Sequence, residues 1–129
     1  MKLTSKTDYC FRVLIYLQKN KERVKIQQIA DEYHISKNHL SVVVNMLSEL
    51  GYIISTLGPH GGIEFNAKYA NHTIGELVSH VEELDLVECF DSSINTCNLN
   101  PHCKLKGILK RANNAFLQEL KNYKISDLV

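Results

Sequence analysis

A mainly α-helical chain with one small β-hairpin is the fold class the sequence predicts, on three observations. Two short helical patterns, "VKIQQIADEYHIS" and "KNHLSVVVNMLSELG", meet at a tight turn. The next stretch, "YIISTLGPHGGIEFNA", abandons the helical period for β-branched and aromatic residues around a glycine-rich centre. Further on, "KLKGILKRANNAFLQELKNY" carries one apolar stripe at helical spacing, about 30 Å of helix at 1.5 Å per residue.

The elements follow in order. From Thr7 to about Asn20, Phe11, Val13, Leu14, Ile15 and Leu17 make a nearly all-round apolar pattern, the mark of a buried helix, with Thr7 as N-cap and Asp8 in a first turn that favours acids. Ile26, Ile29, Ala30 and Tyr33 share one face of a second, short helix. Ser36 caps a third, whose Leu40, Val43, Val44, Leu47 and Leu50 keep helical spacing until Gly51 stops it. Tyr52 to Thr56 and Ile63 to Phe65 pair as a hairpin with Gly58, Pro59, Gly61 and Gly62 between them. Helix, helix, recognition helix and wing is the order of a winged helix-turn-helix. Thr73 caps a fourth helix, "TIGELVSHVEEL", and the long final helix presents Leu105, Ile108, Leu109, Ala112, Phe116, Leu120 and Tyr123 on one side. Residues 1–70 are thus expected to form the winged domain and 71–129 a loop with a dimerisation helix.

Size and charge bound the function. A chain of 129 residues, 44% apolar, supports one core and an appendage. Its start, "MKLTSKTDYC", lacks an apolar leader and no stretch reaches the ~20 apolar residues of a membrane span, so a cytoplasmic protein without membrane contact is expected. Net charge is only +1, but through Ala70 nine Lys/Arg face six Asp/Glu, and from Asn71 onward six face eight. Five acids and no base lie between Glu82 and Asp91, a poor surface for phosphates. A double-stranded DNA interface therefore belongs to the first half. Ser36, Lys37, Asn38, His39 and Ser41 stand at the start of the recognition helix, where side chains reach base edges and backbone N–H groups meet phosphate. His60, Gly61 and Gly62 are expected at a wing tip that approaches the minor groove closely. One copy supplies little affinity, since Lys37 is the only fixed cation in that helix, and a homodimer joined through the last helix would present two recognition helices to a pseudo-palindromic site. The polar "SKNH" could equally be a solvated helix start in a protein-binding module.

The cysteines ask for separate chemistry. Four are present, and in a reducing compartment they point to metal or redox roles rather than a disulfide framework. Cys89, Cys97 and Cys103 stand as C-x7-C-x5-C in a segment of small and polar residues that includes Asn100 and Pro101. Structural zinc favours paired C-x2-C knuckles, which this chain lacks, whereas iron-sulfur clusters are held by thiolates with occasional replacement of one ligand. Structural thiols, and thiol-disulfide sensing through the same three cysteines in a metal-free regulator, remain open alternatives. An enzyme finds no support: there is no nucleophile with a paired base, no P-loop and no H-E-x-x-H.

"LTSKTDYCFRVLIYL", "SKNHLSVVVNMLSELGYI", "GPHGGI" and the cysteine loop together resemble the Rrf2 family of iron-sulfur or redox-responsive winged-helix transcription regulators, over essentially the whole chain. Val87 to Asp91, Cys97 and Cys103 to Lys106 look most like its nitric-oxide-sensing repressors from Bacillus-type Gram-positive bacteria. The resemblance implies a 4Fe-4S cluster, in preference to 2Fe-2S, on Cys89, Cys97 and Cys103. It also implies a fourth ligand from an aspartate in the first helix of the other subunit, and Asp8 holds that position. The plainer role for Asp8 is an ion pair with Arg12 one turn on. A sister branch that regulates cluster assembly uses a histidine three residues after the last cysteine, where this chain has Lys106. Cys10, about 200° around the helix from Asp8, is expected to be a small buried thiol. His102 is expected to face solvent, and His34, His72 and His80 to be surface residues. The implied mechanism is a repressor that holds operator DNA with its cluster intact and releases it after nitrosylation.

Overall fold

The structure, a computed structural model, describes residues 1–99 and 102–129; Asn100 and Pro101 of the cysteine loop lie outside the described residues. The chain divides into two compact units, one of Leu3–His72 with Lys124–Val129, the other of Thr73–Tyr123 with Met1–Lys2.

In the first unit, α1 (Ser5–Lys19) buries Cys10, Val13, Leu14 and Leu17, the one-turn spacing of a helix face turned to a core. It begins earlier than the sequence pattern suggests. The cap is Thr4, in extended backbone, whose hydroxyl accepts from the Thr7 amide at 3.5 Å, while Thr7 itself is fully buried inside the first turn. Either threonine could cap; burial of Thr7 leaves Thr4 at the solvent end. α2 (Ile26–Tyr33) ends on His34, which takes the left-handed conformation at φ 53°. α3 (Lys37–Leu50) is capped by Ser36 Oγ, which accepts from the His39 amide at 3.2 Å, and stops at Gly51, φ 96°, as its sequence demands.

β1 (Ile53–Thr56) and β2 (Gly62–Phe65) pair antiparallel, Ile53 opposite Phe65 and Thr56 opposite Gly62. Val24 bridges to Ile63 through two backbone bonds, 3.0 and 2.8 Å, which fasten the wing to the segment preceding α2. Tyr52 fills the base of the wing edge-on to Tyr69, and Asn66 Nδ2 donates to the Gly51 carbonyl at 2.9 Å. The chain end returns to this unit: Ile125 is fully buried, its amide donates to the His72 carbonyl, and its carbonyl accepts from Gln18 Nε2 at 3.1 Å. Each fully buried leucine here, Leu14, Leu40 and Leu47 among them, is worth about 1.5–3 kcal/mol relative to exposure. An exposed helical ion pair is worth only ~0.3–0.5 kcal/mol, so the apolar core holds this unit.

In the second unit, α4 (Ile74–Val81) starts with a reciprocal cap: Thr73 Oγ1 accepts from the Glu76 amide at 3.1 Å and Glu76 accepts from the Thr73 amide at 2.8 Å. Gly75 lets α4 lie directly on α5 (Lys104–Leu120); a Cβ there would stand 2.8 Å from the Leu117 carbonyl oxygen and from the Lys121 amide nitrogen. Asn113 of α5 donates to the Leu84 carbonyl at 2.6 Å, holding the acidic segment after α4. None of the 17 residues of α5 is buried. Among the described residues, no helix is long and apolar enough to cross a membrane.

Candidate metal centre and nucleic-acid interface

The cysteine loop is shaped by its own short-range hydrogen bonds. A 3-10 turn over Glu88–Phe90 carries Cys89. Asp91 follows, accepting from the Ser93 hydroxyl at 2.6 Å and the Ser93 amide at 2.9 Å, bonds that hold its carboxyl below the usual carboxylate range. Thr96 then donates to Glu88 at 2.9 Å, tying the residue before Cys97 to the residue before Cys89. The Cys97 amide donates to Asn95 Oδ1, and Cys103 immediately precedes α5.

The result is one cavity of about 290 Å³ lined by Cys89, Cys97 and Cys103, with Val87, Leu99 and Leu105 supplying apolar walls and Lys106 an ammonium. All three cysteines are unpaired and half-buried. Among the described residues, no three His, Cys, Asp or Glu side chains converge as for a single metal ion. A cavity at the lower end of the small-ligand range, walled by three thiols, suits a compact thiophilic group. Glu88 also lines the cavity, its carboxylate accepting from Thr96, but with three thiols the donor set fits an iron-sulfur cluster better than a hard cation, which prefers oxygen. Lys106 cannot ligate while charged, but its ammonium can offset thiolate charge.

The other candidates are placed as follows. Asp8 lies on α1 in the first unit, half-exposed, with Arg12 Nη2 3.0 Å from its carboxylate. Arg12 also lies over the rings of Tyr9 and Tyr33, at 5.8 and 6.0 Å. Cys10 is fully buried, and burial pushes its thiol up to about 12. His102 and His80 are exposed, His34 ends α2, and exposed His72 stacks on Tyr69 with ring centroids 4.3 Å apart.

At the start of α3, Ser36, Lys37, Asn38 and His39 are exposed, and Ser41 donates its hydroxyl to the Lys37 carbonyl at 2.8 Å, keeping lone pairs free. The wing tip differs from the sequence expectation. His60 is exposed, but Gly61 is buried with its amide on the Gly58 carbonyl, and Gly62 is the first residue of β2. A Cβ on Gly61 would reach within 2.8 Å of the Leu57 carbonyl oxygen, so this glycine closes the turn from inside. The exposed apex is Leu57 to His60, with Leu57 96% exposed. Sequence reasoning passed over Leu57, Val42 (63% exposed on α3) and Lys25. For Lys25 a signal existed: a lysine directly before a short helix that precedes the recognition helix.

A family model described as "Iron-dependent Transcriptional regulator", Rrf2, matches residues 3–129. The chain belongs to the Rrf2 family. Among its relatives, the HTH-type transcriptional regulator NsrR of Shouchella clausii is 46% identical over all of this chain and 89% of that protein. The regulator of the same name in Bacillus subtilis is 44% identical, over all of this chain and 90% of its own. Two solved structures share the fold. CymR, the global cysteine regulator of B. subtilis, has a TM-score of 0.75 at 22% identity, covering 99% of this chain and 95% of its own. IscR of T. potens has a TM-score of 0.75 at 16% identity, covering 99% and 85%. The Rrf2 assignment agrees with a mainly helical winged-helix architecture and with a regulator of transcription.

Proposed function

We propose that this Rrf2 protein is a cytoplasmic DNA-binding repressor whose Cys89, Cys97 and Cys103 hold a 4Fe-4S cluster, and whose grip on operator DNA is released by nitric oxide. The observation that carries the proposal is the single cavity lined by those three thiols in a chain of this family. The NsrR name of its relatives supports the same reading. When bound, the cluster supplies iron that reacts with nitric oxide.

The chain's own residues account for the rest. The three cysteines must be deprotonated to ligate, so loading releases protons and is favoured by rising pH. Asp8 from a second subunit would hold the cluster as its fourth ligand; a carboxylate is harder and more labile on iron than a thiolate. Its half-exposed pairing with Arg12 is a surface ion pair worth ~0.3–0.5 kcal/mol, a cost ligation readily meets. The apolar stripe of α5, with Leu105 55% and Ile108 50% exposed, pairs two subunits. Ser36, Lys37, Asn38, His39 and Ser41 then enter the major groove, and the wing around His60, Gly61 and Gly62 approaches the minor groove, with Leu57 to His60 foremost.

Anaerobic reconstitution with ferrous iron and sulfide tests the centre. Wild-type protein should take up iron and gain visible absorbance, Cys97→Ala should gain neither, and Asp8→Ala should give an altered spectrum with faster loss of iron to a chelator. A Cys97→Ala protein that loads like wild type would sink the cluster assignment and leave thiol oxidation as the surviving signal.

A further inference from the structure

We infer that the cleft between α2, α3 and the wing is the seat of one DNA phosphate strand, held by Lys25 and Lys37. This rests on the protein being a DNA binder and goes beyond it by assigning a site and its ligand, the phosphodiester backbone. The cleft has a volume of about 530 Å³ and lies wholly within the first unit. Lys25 enters it from the residue preceding α2 and Lys37 from the first residue of α3; Ser55, Thr56 and Leu57 line it from the wing.

No carboxylate lines the cleft, and both lysines are exposed and without an ion pair among the described residues. Of the acids near it in sequence, Glu64 faces Arg23 at 3.6 Å, and Asp31 accepts at 2.7 Å from Gln27, which lines the cleft, so that carboxylate is tied to a neutral amide rather than to either lysine. A recognition helix in the major groove and a wing in the neighbouring minor groove must straddle the sugar-phosphate strand that separates the two grooves. That strand has to pass between α3 and the wing, and this is where the two ammoniums stand. Lysine serves such a strand as a point charge, without the bidentate geometry that reads guanine. Lys37, at the rim of the major groove, thereby contacts the backbone while its neighbours at the start of α3 face the bases.

The test measures affinity against salt for the intact protein and for Lys25→Gln, Lys37→Gln and the control Lys19→Gln, an exposed site on α1 away from the cleft. The probes are a duplex selected by the wild-type protein from a random pool and one random-sequence duplex. Each lost phosphate contact should make the log–log salt slope shallower by about 0.9 per bound protomer. Both cleft variants should show this on both duplexes, with the ratio of the two affinities kept within about twofold. An unchanged slope in the cleft variants, an equal change in Lys19→Gln, or a collapse of the affinity ratio would each overturn the assignment while leaving DNA binding intact. Failure of the wild-type protein to bind either duplex would remove the DNA-binding premise itself.

Discussion

Cys10 shows how burial decides what a residue can do. Four cysteines share one chain, yet this one is fully enclosed and its thiol is pushed up to about 12, whereas the loop cysteines stand at an open cavity. At pH 8 an alkylating reagent should therefore modify three thiols of the native, metal-free protein and the fourth only after unfolding. Four adducts on the folded protein, counted by mass, would contradict the burial. Linkage carries a second consequence. The folded state keeps the Cys10 proton to about pH 12 while the unfolded chain loses it near 9.0, so this stabilisation is whole below pH 9 and drains away as pH rises above it. The Cys10→Ala protein should lack that part of the alkaline loss of stability. The buried thiol was legible from its position on an apolar helix face. Asp8 was legible only as one of two things, and its pairing with Arg12 is what a single chain can satisfy by itself.

Helix boundaries were legible wherever one residue type has a single economical solution. Ser36, Gly51 and Thr73 all cap or stop helices where their chemistry predicts. Thr4 and Thr7 offered two hydroxyls for one cap, and only packing chose between them. The wing was legible in outline for a similar reason: a glycine-rich run announces a turn, but which of its glycines is buried depends on the Thr56–Gly62 register. α5 is the element whose sequence asks for something outside the chain. A stripe with Leu105 and Ile108 half-exposed on a helix without a buried residue suits a partner helix. Ile108→Glu should convert a dimer to a monomer in sedimentation while leaving far-UV circular dichroism unchanged. If the variant stays dimeric, the partner surface lies elsewhere.

For the molecule as a whole, the order of elements and the charge contrast between the halves were in the sequence, because periodicity and composition are local properties. The return of Lys124–Val129 to the first unit was not, since the backbone partners of Ile125, the His72 carbonyl and the Gln18 side-chain amide, lie far away in the chain. Cys89, Cys97 and Cys103 line one cavity, and the sequence singles out these three thiols; the Thr96–Glu88 bond, which ties the residue before Cys97 to the residue before Cys89, has no signal in it. The proposed function joins properties of both units: thiols in one, a DNA-reading surface in the other. Operator affinity followed on one anaerobic sample during stepwise addition of nitric oxide, alongside the visible absorbance, tests that connection most directly. Affinity should fall in step with the loss of absorbance, and an affinity that holds constant after the absorbance has gone would contradict it.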